Sequence, residues 1–105
     1  MSQLITTGSW RPREGEEDAF VAAWTDFVEW AAEQDGSGTL RLGRDVEDPG
    51  RFVSFAAWRD ADAARAWKQS PEFALRMKRV QQHVTEFKPA ELEVVAAVEP
   101  NAAPA

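Results

Sequence analysis

Apolar residues occupy both alternating faces of the segment Phe52–Trp58, which reads Phe-Val-Ser-Phe-Ala-Ala-Trp. Successive side chains of a strand point to opposite faces, so a strand that is apolar on both faces needs cover on both sides of its sheet. The pattern changes after Trp58, where Asp60 can cap a short helix that contains residues 62–67. We therefore expect a central strand that leads directly into a helix.

A second helical segment follows at Ser70-Pro71, and its apolar positions recur with the period of a helix. Ser70 suits the N-cap position, and Pro71 suits the first helical turn because its missing N–H is not needed there. One stripe of this helix collects the apolar side chains Phe73, Met77, Val80 and Val84. The sequence therefore predicts a helix that is broken at Ser70-Pro71.

The rest of the chain supplies one more helix and three more strands. Apolar or alternating runs predict strands over residues 4–10, 39–44 and 90–98, and Gly8 marks a close backbone approach or a bulge. The helix between the first two strands carries its apolar side chains on one side: Phe20, Trp24, Phe27 and Ala31. The resulting order β-α-β-β-α-β is that of the ferredoxin-like fold, an α+β arrangement with an antiparallel sheet and both helices on one face.

Such a fold covers only one face of its sheet, although Phe52–Trp58 is apolar on both. We expect residues 1–98 to form one domain of this kind and residues 99–105 to be a disordered tail. The uncovered face would be a large apolar patch, and a second copy of the chain could cover it face to face. We therefore expect a homodimer, a dimeric α+β barrel that encloses an apolar cavity.

The composition excludes several classes of function. The 105 residues include no Cys and one His, so one chain can build neither a disulfide nor the usual zinc and two-histidine iron sites. A net charge of −6 disfavours nucleic acid, and Phe52 and Phe55 face opposite sides, so they cannot form the stacking platform of an RNA-binding sheet. No run approaches the ~20 apolar residues that cross a bilayer, so we expect a soluble cytoplasmic protein without a membrane partner.

The central stretch resembles a known family. The strand that ends in Trp58 and the run Trp-Lys-Gln-Ser-Pro-Glu-Phe at residues 67–73 are similar to the antibiotic biosynthesis monooxygenase (ABM) domain family. The opening of the first helix also matches, at Gly15, Phe20 and Trp24, and the resemblance extends over residues 4–98. It implies dimeric α+β barrels that are either cofactor-independent oxygenases of anthrones and quinols or enzymes that bind and degrade haem.

The haem-degrading branch implies a site made of an Asn, a Trp and a His. The corresponding positions in this chain are Thr7, Trp67 and Met77, and the lone His83 lies six residues beyond Met77 on a different side of the helix. Because the position of the ligand His is occupied by Met77, we expect no stable haem complex.

The oxygenase branch implies an Asn and a Trp that lie four residues apart on the third strand, helped by a Tyr and an Arg from the helices. Ser54 stands at the Asn position and keeps one hydroxyl donor, and Trp58 stands at the Trp position. The Tyr position falls near Ala64 and the Arg position near Met77. The resemblance therefore implies an oxygenase, and the residues supply part of its apparatus.

Two functions stay open at this point. The first is a monooxygenase that oxidises a planar aromatic substrate with dioxygen and needs no cofactor and no metal. Its predicted catalytic residues are Ser54, Trp58 and Trp67, and its predicted substrate-binding residues are Thr7, Phe55, Phe73 and Met77. The alternative is a non-catalytic binding or stress protein that holds an apolar ligand in the same cavity. The sequence offers three candidate bases, His83, Glu91 and Glu93, and selects none of them.

Overall fold

A computed structural model describes residues 3–100 as one four-stranded antiparallel sheet with three helices. In chain order the elements are β1 (Leu4–Pro12), α1 (Glu17–Ala31), β2 (Ser37–Arg44), β3 (Phe52–Trp58), α2 (Ala61–Gln69), α3 (Pro71–Gln81) and β4 (Val84–Glu93). The strands lie in the order β2-β3-β1-β4. This arrangement confirms the predicted ferredoxin-like α+β fold. None of these helices is long and apolar enough to cross a membrane.

The centre of the sheet is built from β1 and β3, as the apolar pattern of β3 predicts. β3 has the predicted bounds, whereas β1 runs on to Pro12 and β2 begins two residues early, at Ser37. The register pairs Gly8 with Ser54 and Trp10 with Phe52. This register brings the glycine of β1 next to the one polar side chain of β3.

The two helices after β3 begin at the capping residues that the sequence predicts. The Asp60 carboxylate accepts a hydrogen bond from the backbone N–H of Ala63 at 2.9 Å, which caps α2. The Ser70 hydroxyl accepts one from the N–H of Glu72 at 3.3 Å, and Pro71 is the first residue of α3. The predicted break at Ser70-Pro71 is thereby confirmed.

The last strand lies earlier in the chain than predicted. It spans Val84–Glu93 instead of residues 90–98, and Val84, predicted at the end of the helical stripe, is its first residue. Pro89 does not break the strand, because β4 is at the edge of the sheet and a missing N–H is tolerated there. Residues 94–100 form no helix or strand, and residues 101–105 of the predicted tail lie outside the described part of the chain.

The two faces of the sheet are packed very differently. The face toward the helices carries the buried aromatic core, in which Phe20 contacts Trp10 and Phe52 with ring centroids 5.4 and 5.2 Å apart. The opposite face carries side chains of the alternate positions, among them the half-exposed Phe55 and Leu92. The helices therefore complete one face and leave the other open.

Candidate functional site

A cavity of about 240 Å³ lies between the sheet and the helices. Its floor is formed by β1 and β3, and its walls come from α1, from the end of α2, from α3 and from β4. The lining is mostly aromatic and aliphatic, and its side chains that also belong to or pack on the core are Trp10, Trp24, Phe27, Val28, Leu40, Ala56, Trp67, Phe73, Met77 and Phe87. The cavity is therefore continuous with the helix-covered core.

A hydroxyl group lies on the floor of this cavity. Ser54 Oγ accepts a hydrogen bond of 2.9 Å from the indole Nε1 of Trp10, which leaves its own O–H free to donate. Gly8 makes this arrangement possible: a Cβ atom there would lie 2.7 Å from Trp10 Nε1 and 3.0 Å from Ser54 Oγ. Gly8 therefore marks a close approach, which is one of the two readings that its place in a strand suggests.

The Trp10 ring is held from both sides. Phe87 of β4 stacks on it with centroids 4.0 Å apart, and Phe20 of α1 packs on it at 5.4 Å. Because the ring is 3% exposed and fixed by packing, its indole N–H holds the Ser54 oxygen in one place. No local pattern marks Trp10 as a site residue, since its contact with Ser54 depends on the strand register.

Trp58 and Trp67 form a stacked pair at the other side of the cavity. Their ring centroids are 4.5 Å apart and their planes differ by 29°. Trp67 lines the cavity, whereas Trp58 is 0% exposed and lies behind it, outside the lining. Both indole N–H groups are buried without a hydrogen-bond partner in the described part of the chain. Trp58 therefore lies outside the cavity lining and packs against the Trp67 ring that belongs to it.

The α3 helix, which begins after the break at Ser70-Pro71, forms one wall of the cavity. Phe73 meets the Trp67 ring edge-on, with centroids 4.8 Å apart and an interplanar angle of 85°. Phe27 of α1 contacts both rings, at 5.8 Å from Trp67 and 5.7 Å from Phe73. Met77, one turn further along α3, also lines the cavity. The predicted residues Trp67, Phe73 and Met77 are thus brought together, with Phe27 as a member that the prediction omits.

Thr7 and Phe55 contribute to the lining in another way. Thr7 of β1 pairs with Phe55 of β3, and the next pair along the two strands is Gly8 with Ser54. Strand alternation points the side chains of Thr7 and Phe55 to the opposite face of the sheet, and Phe55 is 47% exposed. Their backbone atoms form part of the cavity floor, whereas their side chains lie on the open face.

Ionisable groups are rare around the cavity. Lys68 at the end of α2 is the one ionisable side chain in the lining within residues 3–100, and its ammonium group forms an ion pair with Glu91 of β4. His83 lies outside the lining, where Nδ1 is 3.0 Å from the carboxylate of Glu16. In the described part of the chain no three His, Cys, Asp or Glu side chains are grouped so that they could hold a metal ion.

The shifted pKa values lie at turns and caps. A hydrogen bond from Arg11, at 2.7 Å, together with its charge, lowers the pKa of Asp48. A hydrogen bond from the backbone N–H of Ala63 also lowers the pKa of Asp60, because it stabilises the ionised carboxylate. Neither carboxylate is part of the cavity lining. These shifts report on structural hydrogen bonds and not on a catalytic acid or base.

The structure resembles solved structures over nearly its whole length. A mutant of SnoaB, a cofactor-independent oxygenase from Streptomyces nogalater, matches with a TM-score of 0.86 at 17% identity, covering 95% of this chain and 100% of that chain. A candidate antibiotic biosynthesis monooxygenase from Bordetella bronchiseptica matches with a TM-score of 0.79 at 20% identity, covering 91% and 100%. At such identities the superpositions show a common fold.

The sequence comparison assigns the chain to a family. No curated protein matches it. The family model described as antibiotic biosynthesis monooxygenase matches residues 4–79, which is most of the chain and includes all elements from β1 through most of α3. The chain therefore belongs to the antibiotic biosynthesis monooxygenase family.

Proposed function

We propose that the protein is a cofactor-independent monooxygenase that oxidises a planar aromatic substrate of the quinol or anthrone type with dioxygen. The observation that carries this proposal is the cavity, in which aromatic rings surround the Ser54 hydroxyl, fixed on the floor of the sheet by Trp10. Its volume of about 240 Å³ is just below the ~300–1,000 Å³ that is usual for small-molecule sites. A flat substrate of two or three fused rings suits this size, and membership of the family supports the reaction class.

The chemistry requires the substrate to supply the electrons. An anthrone-type substrate loses a proton to solvent water and becomes an enolate, which passes one electron to dioxygen and gives a substrate radical and superoxide. The pair recombines to form a carbon–oxygen bond, and protonation followed by loss of water leaves a carbonyl group. The CH2 carbon gives up four electrons and dioxygen accepts four, so one oxygen atom enters the product and the other leaves as water.

The chain's own residues have defined tasks in this scheme. Ser54 donates its hydroxyl hydrogen to the substrate oxygen, where negative charge develops, while Trp10 fixes the acceptor side of the same hydroxyl. Trp67 and Phe73 bind the flat rings by aromatic contact. Trp58 acts as a positioning residue, because it supports the Trp67 ring from behind. The apolar lining keeps water away from the radical pair.

We also propose that two copies of the chain pack through the open faces of their sheets. Phe55 and Leu92 are large apolar side chains on this face, exposed by 47% and 50%, and Ile5 of β1 lies between their strands. A stable interface of standard size needs about 800 Å² from each partner. The open face of a four-stranded sheet can supply this area, which supports a face-to-face homodimer.

A second function is favoured by one observation. Within the described residues no carboxylate and no imidazole lines the cavity, so a general base of the usual kind is not in contact with a bound ligand. A binding or stress protein that holds an apolar ligand without turnover would need no such base. The two functions differ in whether dioxygen is consumed when a ligand is bound.

Oxygen uptake distinguishes the two functions. Chelator-treated protein is mixed with a panel of anthrones and naphthalene quinols in an oxygen electrode, and the rate is compared with spontaneous autoxidation. We expect uptake that depends on protein concentration and saturates with substrate. If ligands quench the tryptophan fluorescence while no uptake above autoxidation occurs, the protein is a binding protein and the monooxygenase proposal is wrong.

A further inference from the structure

Lys68 occupies a position at the cavity that the proposed reaction has not used. It lies in the last turn of α2, where the negative end of the helix favours a cation, and it lines the cavity. Its ammonium group pairs with Glu91, which stands opposite Thr6 across β1 and β4. Thr6 is itself a buried residue of the cavity floor. The ammonium group therefore lies beside the cavity, at a partly exposed position.

Lys68 and its neighbours on β4 lie at an exposed part of the lining. The Lys68 side chain is 33% exposed, and Pro89, two residues from its partner Glu91, is an exposed member of the lining. The aromatic rings Trp67, Phe73 and Phe27 lie deeper, because each of them is at least partly buried in the core. A flat ligand that enters beside Pro89 thus passes the ammonium group and then meets the aromatic walls.

We propose that Lys68 binds an anionic oxygen of the substrate, so that the substrates are polycyclic aromatics that carry an acidic hydroxyl or carboxylate group. This inference rests on the proposed function, because it assigns a charge to the ligand of the same cavity. The bound phenolate or carboxylate lies at the opening with its rings inside. The preference for an anionic ligand comes from the Lys68 ammonium group and not from the overall charge, since the protein as a whole has a net charge of −6 and repels anions.

The ion pair with Glu91 does not prevent this contact. The side chains of Lys68 and Glu91 are 33% and 52% exposed, and ion pairs at such positions are weakly held. An ammonium group has three N–H donors, so it can keep Glu91 and bind a ligand oxygen at the same time. Glu91 then acts as a positioning residue that holds the ammonium group over the opening.

The test compares two bicyclic ligands that differ in charge. Lawsone, a hydroxynaphthoquinone that is an anion at neutral pH, and menadione, its neutral methyl counterpart, are titrated by tryptophan fluorescence with inner-filter correction. The chain has no Cys, so neither quinone can add to a thiol. The variants are Lys68→Met, which keeps the apolar stem, Lys68→Arg, which keeps the charge, and the control Lys78→Met on α3, whose lysine is exposed and outside the lining.

We expect Lys68→Met to weaken lawsone binding about tenfold and to leave menadione binding within about twofold. Lys68→Arg should retain most of the affinity for lawsone, and Lys78→Met should leave the affinity for both ligands unchanged. Equal losses for both ligands, or no loss for either, would overturn the role of Lys68 while leaving the cavity as a ligand site. Failure of wild-type protein to bind either quinone would overturn the proposed function, and this inference with it.

Discussion

The two faces of the sheet in this protein are made from the same strands and differ in what completes them. On one face, β3 contributes Phe52, Ala56 and Trp58, all buried under the helices of the same chain. On the other face, the same strand contributes Val53, Phe55 and Ala57, and Phe55 is half exposed. One face is covered within the chain, and on the other the apolar side chains of β3 keep part of their exposure.

Because of this difference, the helix-covered face determines the stability of one chain and the open face determines its proposed assembly with a second copy. The helix-covered face holds the core and, continuous with it, a cavity of about 240 Å³, so packing there sets both folding and ligand binding. The open face contributes little to the folding of one chain, because its side chains keep much of their exposure. Substitutions on the two faces should therefore change different measured quantities.

The largest effect is expected in the core under the helices. Phe20 is 0% exposed and lies outside the cavity lining, so Phe20→Ala removes packed volume from the core. We expect the free energy of unfolding to fall by about 3–5 kcal/mol, as measured by urea denaturation. The matched control is Leu75→Ala on α3, where the side chain is 51% exposed, and we expect a loss below ~1 kcal/mol. Similar losses in both variants would contradict this account of the core.

The next effect concerns the open face. Phe55→Glu places a carboxylate in the middle of the proposed dimer interface, and an unpaired charge buried there costs several kcal/mol. We expect wild-type protein to sediment as a dimer at micromolar concentration and the variant to dissociate at least about a hundredfold more readily.

The control for this prediction adds the same charge elsewhere. Ala74 is exposed on α3, so Ala74→Glu should leave the dimer intact. Sedimentation of wild-type protein as the 11.7 kDa monomer alone would show that the open face is not covered by a second copy.

A smaller effect, on turnover, is expected when the Ser54 hydroxyl is removed from the cavity. Ser54→Ala removes the donor to the substrate oxygen, and a hydrogen bond to a charged group contributes ~1.5–3 kcal/mol. We expect kcat/KM for oxygen uptake to fall roughly ten- to a hundredfold, while menadione affinity changes by less than about threefold. Ser9→Ala, on the open side of β1, is the matched control and should leave turnover unchanged. An equal loss of affinity and turnover in Ser54→Ala would make the hydroxyl a binding group only.

The smallest effect is a dependence of stability on pH. Arg11 lowers the pKa of Asp48 in the folded chain, so this pair adds stability above the ordinary Asp pKa of ~3.9 and loses it as the pH falls through the lower folded value. We expect urea midpoints to decrease below about pH 4 and to decrease less steeply in Asp48→Asn. The same pH slope in both proteins would show that this pair does not contribute.

The fold was largely predictable because its signals are local. The bounds of β3, the caps Asp60 and Ser70 and the break before Pro71 depend on neighbouring residues, and the structure confirms them. The family resemblance, also carried by residues around this break, is confirmed by the family match. The prediction of the last strand over residues 90–98 is wrong, because an edge strand tolerates Pro89 and β4 therefore spans Val84–Glu93.

The site was less predictable because it depends on contacts between distant residues. The hydrogen bond between Trp10 and Ser54 joins residues 44 positions apart, and only the β1–β3 register brings them together. Gly8 was the one available signal, since a glycine within a strand indicates close approach. The position of Lys68 likewise follows from how the end of α2 meets β4, which no local pattern encodes.

The fate of the two oxygen atoms of dioxygen tests most directly whether the protein is a cofactor-independent monooxygenase. An anthrone substrate is turned over by chelator-treated wild-type protein under isotopically labelled dioxygen, and the product is analysed by mass spectrometry alongside oxygen consumption. The monooxygenase mechanism predicts one labelled oxygen atom in the new carbonyl group and one dioxygen consumed for each product molecule. An unlabelled product, hydrogen peroxide in equal amount, or a rate no greater than autoxidation would contradict it.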